Sequence, residues 1–452
     1  MTAAARRISP YDPDMDLALG RSTTKSAPPD NPHAPAAPPA PYREKASPEK
    51  PAPCEGELGT SSGVNIEPGS DDDGWIVPPP VKLSDGTQVQ LYKDGEALHA
   101  AYEAIKHAKR RVCLESYIFA DDDTGQAFAK LLSEKARQGL AVYVIYDSVG
   151  SFSSDRDMFR DMARNGVRVR EFHPIRPWEC KYSWRPANRD HRKLLVVDDD
   201  VAGLGGLNVG GEYAGSWVIQ PSKPDCDLWR DNALGVRGPA ASHFLAAFKK
   251  SWNYIGRGGR IRSAEYQHNL SAGEFGLLAS VPAINSPLRG FLCNLMSEAK
   301  LSIFITMAYF APHDELIEEL CKAAKRGVRV RLMLPGRSDV HLLTLAQRSF
   351  YERLLSCGVE VYERQSVILH SKTGVIDGHC SVLGSTNIDY RSIEYNLELS
   401  AIVRNHSFGK QMQDLFENDV RYARRINLKE WRRRPLWDRF VQSAVIHART
   451  LL

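Results

Sequence analysis

His191-Arg192-Lys193-Leu194-Leu195-Val196-Val197-Asp198, followed by Gly205-Gly206-Leu207-Asn208, returns in the second half of the chain as His370-Ser371-Lys372-Thr373-Gly374-Val375-Ile376-Asp377, followed by Gly384-Ser385-Thr386-Asn387. The histidine-to-asparagine spacing is the same in both stretches. The apolar run after each lysine reads as a buried strand. Residues two apart on a strand share a face, so each His projects with its Lys, and a glycine-containing turn then supplies the Asn.

The duplication extends upstream. Ala108-Lys-Arg-Arg-Val-Cys-Leu-Glu115-Ser116-Tyr117-Ile118-Phe119 is matched by Ala299-Lys-Leu-Ser-Ile-Phe-Ile-Thr-Met-Ala-Tyr309-Phe310. Helices closed by Gly139 and Gly327 feed strands, as do those closed by Gly166 and Gly358, which are the expected cap and strand signals. Strands alternating with helices predict an α/β domain made twice. The offset between the copies is smaller at His191/His370 than at Gly166/Gly358, so the first copy carries an insert before its histidine. It falls within residues 174–190, where Arg176, Trp178, Lys181, Tyr182, Trp184, Arg185 and Arg189 suit either a headgroup contact or an ordinary surface loop. Tyr309-Phe-Ala-Pro312-His-Asp314 ends a strand and suits either the wall of a lipid channel or a helix cap.

Each copy offers an imidazole, an ammonium and a carboxamide, and neither is a complete site alone. Brought together across a pseudo-twofold axis, the two sets suit phosphoryl transfer from a phosphodiester. One His attacks phosphorus, the other protonates the leaving alkoxide, and Lys193, Lys372, Asn208 and Asn387 stabilise charge on the oxygens. No metal or other cofactor is called for. Asp198 and Asp377 close the motifs and are grouped with the catalytic set as supporting ion-pair residues. The glycines of 203–211 fit neither a dinucleotide nor a nucleoside triphosphate loop.

The His-x-Lys-x4-Asp pair with its trailing Asn resembles the phospholipase D superfamily over residues 76 to about 425. Glu115-Ser-Tyr-Ile-Phe-Ala, Trp229-Arg-Asp231 and Asn387-Ile-Asp-Tyr-Arg391-Ser392 with Asn396-Leu-Glu398 look most like bacterial cardiolipin synthases of the shorter class without N-terminal transmembrane helices. The resemblance implies an α/β fold of two tandem phospholipase D-type α/β/α sandwich domains, related by a pseudo-twofold, with one active site at their interface. It implies a phosphatidyl transfer through a phosphohistidine, with phosphatidylglycerol as substrate and glycerol released. His191 then matches the nucleophile and His370 the general acid/base, although the near-symmetry leaves the two roles interchangeable. Glu398 matches a carboxylate that orients a motif histidine. The first half has no acid at the same spacing, since position 219 is Ile, and Asp231 is the substitute. Other phospholipase D-type enzymes (a hydrolase, a phosphatidylserine synthase, a nuclease) share the pattern, and a silent membrane-binding scaffold is the alternative from another class.

Composition narrows these readings. Lys+Arg 59 against Asp+Glu 55 leaves +4 over 452 residues, which disfavours a nucleic-acid-coating protein. Eight scattered cysteines without a CxxC pair suit a reducing cytoplasm. No apolar run approaches the length of a membrane-spanning helix, and neither a secretory nor a twin-arginine signal fits the start. Thirteen of the 27 prolines precede Asp71, so residues 1–74 read as a disordered arm. The expected organisation is then a first domain at 75–255, a connecting segment at 256–284, a second domain at 285–425 and a basic amphipathic tail at 426–452. From Arg421 onward nine Lys/Arg face two acids, a local +7. Leu436, Trp437, Phe440, Val441, Ala444 and Val445 fall at helical spacing beside those charges. The tail therefore reads as an attachment to an anionic membrane surface, peripheral on the cytoplasmic face, the alternative being a helix packed on the catalytic core. With both halves on one chain, a monomer suffices for catalysis.

Overall fold

The structure, a computed structural model, describes residues 75–176, 178–179, 187–214, 229–256, 273–280 and 287–447. The expected proline-rich arm, residues 177 and 180–186 of the insert, and the last five residues of the tail lie outside them.

The strands run in chain order β1 (Val81–Lys82), β2 (Gln88–Lys93), β3 (Arg111–Ser116), β4 (Ala141–Asp147), β5 (Arg168–Phe172), β6 (Leu194–Val197), β7 (Val201–Gly205), β8 (Trp229–Arg230) and β9 (Asn232–Arg237) through the first half. The second half holds β10 (Phe275–Ser280), β11 (Ser302–Met307), β12 (Phe310–Ala311), β13 (Arg329–Pro335), β14 (Glu360–Arg364), β15 (Ile368–Leu369), β16 (Lys372–Ile376), β17 (Cys380–Gly384), β18 (Ile388–Asp389), β19 (Glu398–Arg404) and β20 (Ala423–Arg425). They build two eight-stranded sheets, β1-β2-β9-β7-β6-β3-β4-β5 and β10-β19-β17-β16-β11-β13-β14-β20, that match over seven strands and differ by β1 at one edge of the first and β20 at the opposite edge of the second. In each, three parallel strands (β3-β4-β5, β11-β13-β14) continue into antiparallel ones, with the motif strands β6 and β16 at the junction. The doubled α/β architecture expected from the sequence is what the chain adopts.

The repeat is repeated in the cores. Val112, Val142 and Val144 pack with Phe128, Leu132 and Met162 in the first half, while Ile303, Val330 and Leu332 pack with Leu316, Leu320 and Leu354 in the second. Helix Ala241–Gly256, with Trp252 buried against Tyr143, covers the other face of the first sheet. Helix His406–Val420 does the same for the second through Phe416 on Phe304. Each half is thus helix, sheet, helix. Gly139 and Gly327 sit at φ +93 and +91 with open space around them. The helix ends need glycine there for the left-handed backbone, not for room.

One boundary differs from expectation, and the tail packs as its alternative reading has it. Strand β10, inside the expected connecting segment, pairs antiparallel with β19 along its whole length and forms the edge of the second sheet. The sequence around it is short and flanked by polar residues, and its pairing partner is far away along the chain, so the pairing could not be read locally. In the tail, helix Leu436–His447 packs on helix His341–Ser349, with Val445 against Ala311, Leu343 and Ala346, while Leu436, Trp437 and Phe440 stay exposed. Among the described residues no helix is long and apolar enough to cross a membrane.

Candidate active site

The two halves are stitched together by backbone at both histidines. His191 N–H donates to the Leu397 carbonyl at 3.0 Å, and His370 N–H donates to the Arg230 carbonyl at 2.8 Å. Next to the first, Leu397 N–H donates to Arg189 O at 2.8 Å; next to the second, β15 runs parallel to β8. Arginine side chains clamp the same seams. Arg192 donates to Glu398 O, Ser251 Oγ and Ser280 O, and Arg230 makes a two-pronged ion pair with Asp419 at 2.9 Å on each prong. All of these groups are buried, so the low dielectric strengthens each bond and the histidine backbones have little freedom.

His191 and His370 both line one cavity of about 410 Å³, together with Asn208, Asn387, Arg189 and Arg391. The residues read from the two distant motifs therefore meet at one place. The carboxylates arrive crossed. Glu398, from the second half, accepts from His191 Nδ1 at 3.0 Å, and Asp231, from the first half, accepts from His370 Nδ1 at 2.6 Å. The sequence named both acids; the pairing is supplied by the seams where β8 meets β15 and Leu397 meets His191. A neutral imidazole that donates its Nδ1 proton carries an unprotonated Nε2, so both rings have a basic nitrogen free for chemistry.

Burial dominates the electrostatics. It holds the His191 imidazolium well below the usual histidine range, with Lys193 and Lys372 adding to the effect. The His370 value is pushed down to about 4 by burial and Lys372, against an upward pull from Asp231. Burial also lowers Lys193 to about 7 and Lys372 to about 8, opposed by Glu398 and Asp231. Each lysine folds back on its own motif: Lys193 Nζ donates to the His191 carbonyl at 2.7 Å, and Lys372 Nζ donates to the His370 carbonyl. Glu398 is raised to about 7 by burial, although Ser385 Oγ and Asn396 Nδ2 also donate to it.

The two asparagines are held unequally. Asn208 Oδ1 accepts from Ile118 N–H at 3.1 Å and its Nδ2 donates to Tyr213 Oη at 2.7 Å. Asn387 Oδ1 is buried with no hydrogen-bond partner among the described residues.

Asp198 and Asp377 are not among the residues that line the cavity. They stand at the far ends of β6 and β16, at φ +52 and +53, and accept backbone N–H bonds from the residues that open β3 and β11. Asp198 takes Lys109, Arg110 and Arg111; Asp377 takes Lys300, Leu301 and Ser302. The expected ion-pair role gives way to this turn-closing one, because a whole strand, β6 or β16, separates each Asp from its histidine.

An aromatic wall completes the cavity, and all but Tyr213 of it falls within stretches singled out in the sequence. Tyr117 meets His191 edge-on with centroids 5.0 Å apart, and Trp229, Tyr213 and Tyr309 surround His370 at 4.9, 5.6 and 6.2 Å. Of these, Tyr309 is the strand-end residue whose position suits a channel wall. Tyr213 has no mark in the sequence beyond its place shortly after Asn208.

Comparison with known proteins fits this geometry. The family model described as cardiolipin synthase, PLD-like domain, matches residues 102–216 and again 292–420. A cardiolipin synthase of Geobacillus kaustophilus is 32% identical over 372 residues, covering 80% of this chain and 72% of that protein. One from Listeria monocytogenes is 30% identical and covers 80% and 74%. Among solved structures, phosphatidylserine synthase from Haemophilus influenzae superposes with a TM-score of 0.60 at 13% identity, covering 83% of this chain and 97% of that one. Polyphosphate kinase from Porphyromonas gingivalis gives 0.54 at 14% identity, covering 83% and 56%. At those identities the likeness is one of fold.

Proposed function

Because the chain belongs to the cardiolipin synthase, PLD-like domain family, whose members are phosphatidyltransferases of the phospholipase D superfamily, we propose that it moves a phosphatidyl group from one phosphatidylglycerol to the glycerol hydroxyl of a second phospholipid. The observation that carries the reading is the crossed pair, in which each histidine on the shared cavity is oriented through Nδ1 by a carboxylate of the other half.

His191 Nε2 attacks the diester phosphorus. The P–O bond to glycerol breaks, His370 delivers the proton to that oxygen, and glycerol leaves from a phosphohistidine on His191. His370 then takes the proton of the incoming hydroxyl, whose oxygen attacks phosphorus and returns His191 to its starting state. Lys193, Lys372, Asn208 and Asn387 hold the non-bridging oxygens as charge gathers on them. The bound diester is itself an anion beside the two lysines and His370, so it favours their charged forms and restores the acid that burial suppresses. We place the reaction at an anionic membrane surface, on the cytoplasmic face, with the protein peripheral and one chain sufficient.

The test is purified protein with phosphatidylglycerol vesicles and lipid products read by mass spectrometry. Cardiolipin and free glycerol are expected in equal amounts. Phosphatidic acid alone makes the protein a hydrolase, and cleavage of single-stranded DNA without lipid turnover makes it a nuclease.

A further inference from the structure

Most of the large apolar side chains left exposed among the described residues belong to segments, in both halves of the repeat, that line the active-site cavity or are joined to segments that do. In the first half, the loop after β4 carries Val149 and Phe152, the latter 69% exposed. This loop is pinned against the cavity wall, since Ser151 Oγ accepts from Phe119 N–H and donates to Tyr117 O, and Tyr117 lines the cavity. Gly150 lies so close to Tyr117 that an added Cβ would collide with its carbonyl oxygen. The chain beyond β5 adds Ile175 and Trp178, the latter 80% exposed, tied to the same loop by the Ser148 Oγ bond to His173 O at 2.6 Å.

In the second half, the loop after β13 carries Val340 and Leu342, and Val340 with Leu343 lines the cavity directly. Phe152 and Val340 are equivalent positions of the repeat, falling together when Gly139 is laid on Gly327. The tail helix, seated on helix His341–Ser349, extends this set with Leu436, Trp437 and Phe440 at 77, 70 and 64% exposure, the last two rings stacked 5.8 Å apart. Arg433 and Arg439 are exposed beside them.

We infer that these two apolar lips, Val149/Phe152/Ile175/Trp178 from the first half and Val340/Leu342 with Leu436/Trp437/Phe440 from the second, are a paired docking surface for an anionic lipid bilayer, seating the mouth of the cavity at headgroup depth. Apolar surface of this kind is costly in water and marks a partner. Three features select a lipid surface over a protein. The lips flank, from the two halves of the repeat, a cavity that has to stay open to its substrate, the residues are aromatic and aliphatic side chains suited to the headgroup boundary, and the neighbouring arginines complement anionic headgroups. The tail alone gives one point of attachment; two lips fix the orientation of the mouth. The identity of the lipid rests on the phosphatidyl-transfer reading, whereas the docking face does not.

The experiment uses the full chain with sedimented vesicles of phosphatidylglycerol and phosphatidylcholine, at low salt and at a salt concentration that screens the arginines. Phe152→Ser with Trp178→Ser, and Trp437→Ser with Phe440→Ser, each lower partitioning about tenfold at high salt. Turnover of short-chain phosphatidylglycerol dispersed in detergent stays within about twofold, because neither pair reaches the histidines. In the unaltered protein, phospholipids brominated high on the acyl chain quench tryptophan fluorescence, and Trp437→Phe removes part of that quenching. Undiminished partitioning in both double variants overturns the inference. So does an absence of quenching, or loss of self-association in light scattering with vesicle binding intact, which assigns the lips to a second copy of the chain. Intact binding and quenching without any lipid transfer support the docking face and sink the phosphatidyl-transfer reading.

Discussion

The two halves supply the same two polar groups to the cavity, a histidine and an asparagine, and surround them differently. His191 sits against one tyrosine, with a carboxylate shared among Ser385, Asn396 and the ring, and burial plus two ammonium groups keeps it far below the usual histidine range. His370 sits among three aromatic rings with Asp231 at 2.6 Å, and that carboxylate pulls its value back up against burial. Burial depresses both rings, and an upward pull from a carboxylate stands out only at His370. On that difference we propose His191 as the nucleophile and His370 as the acid. The near-symmetric motifs leave the two roles interchangeable.

The sharpest way to break this comparison is to remove each ring. His191→Ala lowers transfer by about 10⁴-fold or more and abolishes the acid-labile phosphoenzyme. His370→Ala lowers transfer of phosphatidylglycerol as strongly, but still forms phosphoenzyme from a diester whose leaving group needs no proton, such as nitrophenol. Trapping of label in His191→Ala and not in His370→Ala reverses the roles. The orienting acids come next. Asp231→Asn lowers the rate by about 10² to 10⁴, through the wrong tautomer of His370, and the deficit shrinks with a nitrophenol leaving group. Glu398→Gln lowers it less, because Ser385 and Asn396 still hold the side chain, and its deficit is independent of the leaving group. Equal leaving-group dependence in the two variants erases the distinction between the halves.

Much of this architecture is legible in the chain itself. Two motifs of equal internal spacing predict the doubled α/β fold, and eight of the ten expected site residues stand at one place: the two His, two Lys, two Asn, Glu398 and Asp231. The crossing of the acids is not legible. Glu398 follows His370 in the second half, and Asp231 follows His191 in the first. Sequence distance favours a partner in the same half, whereas the seams of β8 on β15 and Leu397 on His191 deliver each acid to the other. Tyr213, outside every quoted stretch, reads equally well as core. Only the cavity distinguishes it.

Titration sharpens the comparison further. Glu398, raised to about 7, must ionise to hold the His191 proton. Lys193 and Lys372, lowered to about 7 and about 8, must stay charged to hold phosphate. Activity therefore rises as Glu398 ionises and falls as the lysines lose their protons, by up to about tenfold per pH unit on each limb, giving a narrow bell in kcat/KM. Glu398→Gln removes the rising limb and leaves the falling one. A profile without a falling limb until strongly alkaline pH shows that the lysines keep their solvent values and that the cavity is wetter than its burial implies.

The smallest effect separates the motifs' two ends. Asp198 and Asp377 belong to the same motif stretches as the lysines, yet each accepts three backbone N–H bonds at the opposite end of its strand. Replacing either by Ala strands those donors at a partly exposed turn, costing about 1–2 kcal/mol, similar to the loss of a helix cap. The urea midpoint falls accordingly, while kcat per folded molecule and the pH bell stay within about twofold of the unaltered protein. Asn in place of either Asp recovers part of the stability, because it keeps an acceptor and tolerates the left-handed backbone at φ +52 and +53. A large loss of kcat at unchanged midpoint would return both residues to the catalytic set, and with them the view that the whole His-to-Asp stretch acts as one chemical unit.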